Sequence, residues 1–171
     1  MVRWVMAFSF CALLGANQAL SQNAVSKKVN YPCPTNSLYQ DGKTIVFYDE
    51  FSDSLVNFNN WNAFSGVIDS WDPTSLMYLT GTTNNLYIDS GILVIAAIND
   101  TIENKNYSSA WIYTKAIDYG YFEIKCQVPK GACMWPAFWL TKPFGPGDGT
   151  YQEIDVFELD TDRGNQFQTN V

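Results

Sequence analysis

Glu153-Ile154-Asp155-Val156-Phe157-Glu158 places three carboxylates within six residues of a segment whose other members are β-branched or aromatic. Ile154, Val156 and Phe157 favour a strand, and successive side chains of a strand point to opposite faces. Glu153 and Asp155 therefore share a face. Strict alternation would send Glu158 through to the other side, where Ile154 and Val156 must pack and where a bare carboxylate is costly to bury. One extra residue bulged out around Val156 and Phe157 resets the parity and returns Glu158 to its two neighbours. The sequence thus predicts a β-bulge between Asp155 and Glu158.

Three acids aligned on one face repel one another if all are ionised, so at least one should hold a proton near neutral pH. Glycoside hydrolysis uses such a set. One carboxylate attacks or stabilises positive charge at the anomeric carbon, and one carboxylic acid protonates the departing oxygen. Long Glu side chains flanking a shorter Asp can converge over the middle position. A carboxyl separation of about 5 to 5.5 Å would mean retention through a covalent glycosyl-enzyme. On this hexapeptide alone, a solvated acidic strand edge explains the pattern equally well.

The rest of the composition narrows the choice. With 171 residues and 47% hydrophobic content the chain can bury one core, and nothing suggests a second. Aromatic residues reach 16%, and Trp, Tyr and Phe stack on sugar rings as well as fill cores. The formal net charge is −7 and His is absent. Phosphate binding needs a basic face, which argues against nucleic acid as a partner. The missing His removes the commonest general base and the commonest zinc ligand, so acid/base chemistry falls to carboxylates.

Residues 1–21 read as a secretory signal peptide: Arg3 supplies the positive start, Trp4 to Leu14 the apolar stretch, and Ala19-Leu20-Ser21 the cleavage site. The stretch is too short to span a membrane, and no other segment approaches the roughly 20 apolar residues a spanning helix needs. The mature protein is expected to be exported, extracellular or periplasmic. Export permits disulfides. Cys11 leaves with the leader, so Cys33, Cys126 and Cys133 remain, with a local Cys126–Cys133 bridge as one pairing. Asn99-Asp100-Thr101 and Asn106-Tyr107-Ser108 fit the N-glycosylation pattern.

Residues 22–43 form a polar, extended lead-in, and Thr44 to Tyr48 a first strand, followed by Asp49 and Glu50, which could serve catalysis or bind a cation but read rather as structural or surface residues. Asn85-Leu86-Tyr87-Ile88 and Ile92 to Ile98 flank the turn signal Asp89-Ser90-Gly91 and predict a hairpin. Asp100 to Ser109 reads as a polar loop, and Trp111 to Thr114 as a strand. Tyr121 to Val128 alternates, with Phe122, Ile124, Cys126 and Val128 on one side and Tyr121, Glu123, Lys125 and Gln127 on the other. That polar row can bind sugar hydroxyls or simply be solvated. In Met134 to Leu140 the alternation sets Trp135, Ala137 and Trp139 against Pro136, Phe138 and Leu140. If Phe138 and Leu140 fill the core, the two indoles line a groove; the alternative buries both. No segment has a helical period and no repeat is present, so short strands and frequent turns point to an all-β sandwich or jelly roll.

At this point the chain resembles glycoside hydrolase family 16, the jelly-roll endo-glycanases that include laminarinases, lichenases, agarases and carrageenases. Glu153 to Glu158 is similar to the bulged signature E-x-D-x-x-E. Tyr119-Gly120-Tyr121-Phe122-Glu123-Ile124-Lys125 with Trp135-Pro136-Ala137-Phe138-Trp139-Leu140 resembles the segment before it, and Phe47-Tyr48-Asp49-Glu50-Phe51 with Trp61 resembles the first strand. The likeness runs over residues 44 to 160. It implies Glu153 as nucleophile, Glu158 as general acid and then base, and Asp155 as the residue that orients and tunes them. It also implies a substrate groove lined by Asn85, Glu123, Lys125, Trp135, Trp139 and Tyr151. Two positions depart from the pattern: many members have Arg where Lys125 stands, and many have a Trp before the first Glu where this chain has Tyr151 and a Gly-rich loop.

The resemblance leads us to expect two antiparallel sheets with a concave cleft over residues 44–171. Family domains usually run further, so the sandwich is expected to lack C-terminal strands. The expected activity is endo-acting, retaining hydrolysis of a β-linked polysaccharide, a β-1,3-glucan or a galactan, by a monomer without an organic cofactor. Some members hold a structural calcium ion, for which no ligands can be assigned here. A transglycosylase and a non-catalytic glycan-binding protein share the fold and stay open, although binding relatives typically lose the acids.

Overall fold

The computed structural model describes residues 47–70, 72–114, 116–117, 120–129, 133–142, 152–161 and 166–171, together with the backbone of Val5–Ala12. The lead-in over 22–43, Thr44 to Val46, Cys33 and Tyr151 lie outside the described residues. The strands in chain order are β1 (Val5–Ala12), β2 (Trp61–Ala63), β3 (Met77–Leu79), β4 (Leu86–Asp89), β5 (Ile92–Ile95), β6 (Ile98–Ile102), β7 (Lys105–Ser109), β8 (Trp111–Thr114), β9 (Met134–Thr141), β10 (Glu153–Asp160) and β11 (Gln166–Asn170). Among the described residues there is no α-helix, and the fold is the all-β sandwich that the pattern predicts.

A six-stranded antiparallel sheet in the order β11-β10-β9-β1-β8-β2 forms the main layer. Its two faces bury different clusters. On one, Phe138, Leu140, Ile112 and Trp61 pack with Val56, Leu86 and the β4–β5 hairpin. On the other, Trp111, Trp139 and Ala137 pack with Ile68, Met77 and Leu79. Met77 and Leu79 belong to the second, three-stranded sheet, in which β3 runs parallel to β7 and β7 antiparallel to β6. The β9 sequence alternates two apolar rows because it is covered on both sides.

The β4–β5 hairpin turns at Ser90 and Gly91, both at positive φ (52° and 77°), which is the geometry whose twist matches paired strands. A second hairpin lies where the composition reads as a polar loop: Ile98 to Ser109 folds as β6 and β7 around Glu103 and Asn104, again both at positive φ. Ile98 and Ile102 supply its inward positions while Asn99 and Thr101 stay exposed. Both sequon asparagines, Asn99 and Asn106, therefore lie exposed on strands.

Three further expectations are corrected. Tyr121 to Val128 is not a strand; residues 120–129 lack regular structure, although Phe122 and Ile124 still pack inward. The position between β8 and β9 that a strand there would take holds β1, from the stretch read as a leader. Phe47 and Tyr48 also lie outside any strand, and no disulfide joins Cys126 to Cys133. Asp49 is structural: its carboxylate accepts from the Phe51 amide (2.8 Å) and the Trp61 indole (2.9 Å), fixing Phe47 and Phe51 against the Trp61 ring.

Candidate active site

The register of β10 against β9 runs Glu153↔Thr141, Ile154↔Leu140 and Asp155↔Trp139, then shifts and resumes at Phe157↔Phe138 and Glu158↔Ala137. Val156 is the residue left over. Against β11 the shift falls in the same interval, between Asp155 and Glu158. The bulge thus lies where the sequence predicts it. Its consequence is parity: Ile154 and Phe157 turn to the face of Leu140 and Phe138, while Glu153, Asp155 and Glu158 share the face of Thr141, Trp139 and Ala137.

The three carboxyls sit where water is scarce and each other's charge is close. Asp155 is buried at 4% exposure, and its Oδ1 is enclosed without a hydrogen-bond partner. Burial first, then the charges of Asp155 and Glu158, then a hydrogen bond to Asp155 push the Glu153 carboxyl up to about 7. That bond has Glu153 as the protonated donor and Asp155 as acceptor. Burial raises Asp155 as well, opposed by the same bond. Glu158 is raised by burial and by the Asp155 charge, and lowered by a hydrogen bond from Trp135. Burial and the neighbouring charges therefore favour a proton on Glu153 into the neutral range.

The indoles occupy the acid face. Phe138 and Leu140 fill the opposite core, leaving Trp135 and Trp139 beside the carboxylates. Their roles differ. Trp139 is 9% exposed, tilted against the Trp111 ring at 5.1 Å between centroids, and forms the floor under Asp155. Trp135 is partly exposed and reaches Glu158. Trp111 and Tyr113 are members of this face that the sequence reading left out. Their alternation with Ile112, which faces the other core, is the signal that could have found them.

The remaining candidates do not join this cluster. Asn85 is 1% exposed, and its amide donates to the Ala96 carbonyl (3.0 Å) and Ser108 Oγ (2.9 Å), while its carbonyl accepts from Ser108 Oγ (3.2 Å). It is a buried tie between the β4–β5 hairpin and β7, with no hydrogen-bonding capacity facing a groove. Glu123 and Lys125 are exposed and border a hollow with Phe138, Phe157 and Phe167, on the face opposite the acids. Their departure follows from the missing strand. Tyr151 lies outside the described residues. Among those residues no cluster of Cys, Asp and Glu is arranged to hold a metal ion.

Residues 69–171 match the family model described as glycosyl hydrolases family 16. The chain is 31% identical over 140 residues to a glucan endo-1,3-beta-glucosidase A1 of Niallia circulans, covering 68% of this chain and 20% of the relative. It is 31% identical over 126 residues to a beta-glucanase of Rhodothermus marinus, covering 67% and 43%. A glucan endo-1,3-beta-glucosidase of Cryptopygus antarcticus is 32% identical over 130 residues, covering 69% and 46%. The chain thus spans from a fifth to under half the length of these relatives. No solved structure matches it significantly.

Proposed function

This chain belongs to glycosyl hydrolase family 16, and from that footing we propose that the protein is an exported endo-acting hydrolase of a β-linked glucan that works with retention. The supporting observation is the bulge at Val156, which brings a third carboxylate onto the face of the other two. The names of the relatives, endo-1,3-beta-glucosidase and beta-glucanase, favour a glucan over a galactan.

The roles follow from chemistry along one strand. Glu153 and Glu158 stand opposite Thr141 and Ala137 of β9, four residues apart, so their backbones are separated by roughly 13 Å. Two long side chains leaning toward each other over Asp155 close that span toward the about 5 to 5.5 Å of a retaining pair. Glu158 gives its proton to the glycosidic oxygen as the bond to the anomeric carbon breaks. Glu153 attacks that carbon and forms a glycosyl ester. Glu158, now ionised, takes a proton from water, whose oxygen then displaces Glu153.

This sequence needs a proton on Glu158 and a negative Glu153. Positive charge developing at the anomeric carbon beside Glu153 favours its ionised form, whereas the oxygen facing Glu158 gains basicity as its bond breaks. The sugar thus draws the proton toward the acid that uses it. In the full-length protein, Glu153→Gln is expected to abolish hydrolysis of laminarin and mixed-linkage glucan while glycan binding persists. Undiminished release of reducing ends by that variant refutes the assignment, and release from agarose or carrageenan alone refutes the glucan.

A further inference from the structure

Glu158 has two tasks that ask opposite things of its carboxyl. It gives up a proton as the leaving oxygen departs, and it takes one back from water. A cation beside it would hold it ionised, and an apolar wall alone would hold it protonated. Among the described side chains, the titratable groups that face it are Asp155 and Glu153 of its own strand. β11 presents Gln168 opposite it and β9 presents Ala137, neither of them charged. The further neighbour on β9 is Trp135.

The register brings that indole within reach. Glu158 stands opposite Ala137, and Trp135 lies two residues along β9 on the same face. Such diagonal positions are about 7–8 Å apart, a span that an aromatic ring and a Glu side chain can bridge. The indole Nε1–H donates a hydrogen bond to the Glu158 carboxyl; burial and then the Asp155 charge push that carboxyl up, and the bond pulls it down. Local structure holds Trp135 in place for this contact. Pro136 follows it and restricts its backbone to the extended form. Thr161 Oγ1 accepts from the Met134 amide (2.9 Å) and donates to the Met134 carbonyl (3.1 Å), clamping the start of β9 to the end of β10. The ring packs with Trp111, Ala137 and Trp139 yet stays only half-buried.

An indole can donate but not accept, and it carries no charge. On ionised Glu158 it takes one oxygen. On the protonated acid it takes the carbonyl oxygen, which leaves the hydroxyl at the other. We propose that Trp135 is a positioning residue for the general acid/base: its N–H holds one oxygen of Glu158, so that the other oxygen alone delivers and recovers the proton. This rests on the hydrolase reading. In the first step the O–H bond at that oxygen breaks, its proton passes to the departing oxygen and its electron pair stays on Glu158. In the second, water gives a proton to the same oxygen while its own oxygen bonds to the anomeric carbon and displaces Glu153. Without the N–H, Glu158 is held higher and keeps its proton into the step that needs it ionised.

In the full-length protein, Trp135→benzothienylalanine exchanges the N–H for sulfur and keeps the shape of the ring. With laminari-oligosaccharides the basic limb of kcat/KM is expected to move to higher pH, and Trp135→Phe, which also lacks the donor, is expected to move it the same way. With a dinitrophenyl laminaribioside, whose leaving group needs no proton, kcat is expected to fall on the order of 10-fold as release of the glycosyl ester slows. Azide, a nucleophile that needs no base, should restore that turnover. An unmoved limb with unchanged kcat, or a rise in KM alone, overturns the proposal and leaves Trp135 as packing or a platform for sugar. NMR of isotopically labelled glutamate carboxyls separates this from the hydrolase reading. A Glu158 midpoint raised by the isostere, in a protein that leaves laminarin and mixed-linkage glucan intact, would remove the hydrolase reading alone. Equal midpoints in parent and isostere overturn the proposal whatever the activity.

Discussion

A carboxyl held at about 7, as Glu153 is, leaves a mark on stability as well as on chemistry. Below its ordinary value of 4.5 the group is protonated in the folded and the unfolded chain alike. As pH rises from there to about 7, the unfolded chain releases its proton and the folded protein keeps it, so folding stability falls across this window. Gln at position 153 has no proton to lose. Glu153→Gln is therefore expected to gain stability relative to the parent as pH is raised from 4 to 8, by about 1–2 kcal/mol once solvent screening of a partly buried group is allowed for. Urea titrations at the two pH values check this. A constant difference between the two proteins would mean that the carboxyl titrates normally. The three acids are the residues most plainly legible in the sequence, because their cost in an apolar strand demands a reason. Asn85 was not legible in the same way, since an amide that closes a buried network reads the same as one that meets a sugar.

In β10 a bulge at a single residue keeps the last acid on the face of the other two. Deleting Val156 would remove the bulge and leave Phe157 opposite Phe138 and Glu158 opposite Ala137 in a regular ladder, so the three acids would keep one face. The expected outcome is a folded variant in which hydrolysis persists, because the shortened strand alternates without a bulge. Val156→Ala keeps the count and should also keep the activity. A deletion variant that loses hydrolysis together with the roughly 2–4 kcal/mol of an unpaired carboxyl in an apolar layer would show that Glu158 had crossed to the core face. The bulge was readable because two patterns, the apolar row and the acids, conflict without it. Two other elements were not. The β6–β7 hairpin hides behind a polar sequence because Ile98, Ile102 and Tyr107 are few and its turn uses Glu103 and Asn104, without a glycine. Tyr121–Val128 has the alternation of a strand, but a strand needs a partner, and β1 holds the place beside β9. Local pattern sets what a segment can do, whereas competition for a ladder position sets what it does.

For the molecule as a whole, the sheet works as a divider. One face carries Phe138, Leu140 and Ile112 into a core, and the other carries Trp111, Trp139 and the acids. This two-faced layer explains why both rows of β9 are apolar, and why Trp139 lies beneath the acids as a buried floor rather than as an open platform for sugar. All-β architecture and the carboxylate cluster could be read from alternation and turn residues. The order of strands in the sheet could not, because it depends on which distant segment reaches a given edge first. The central claim is that this divider presents Glu153 to an anomeric carbon and Glu158 to the departing oxygen. Peptide mapping by mass spectrometry, after incubating the full-length protein with an activated fluorinated laminari-oligosaccharide that forms but does not release the glycosyl ester, tests it most directly. The account predicts one glycosyl unit on the peptide containing the strand, attached at Glu153. A label on Glu158, or continued hydrolysis of laminarin with no label at all, would contradict it.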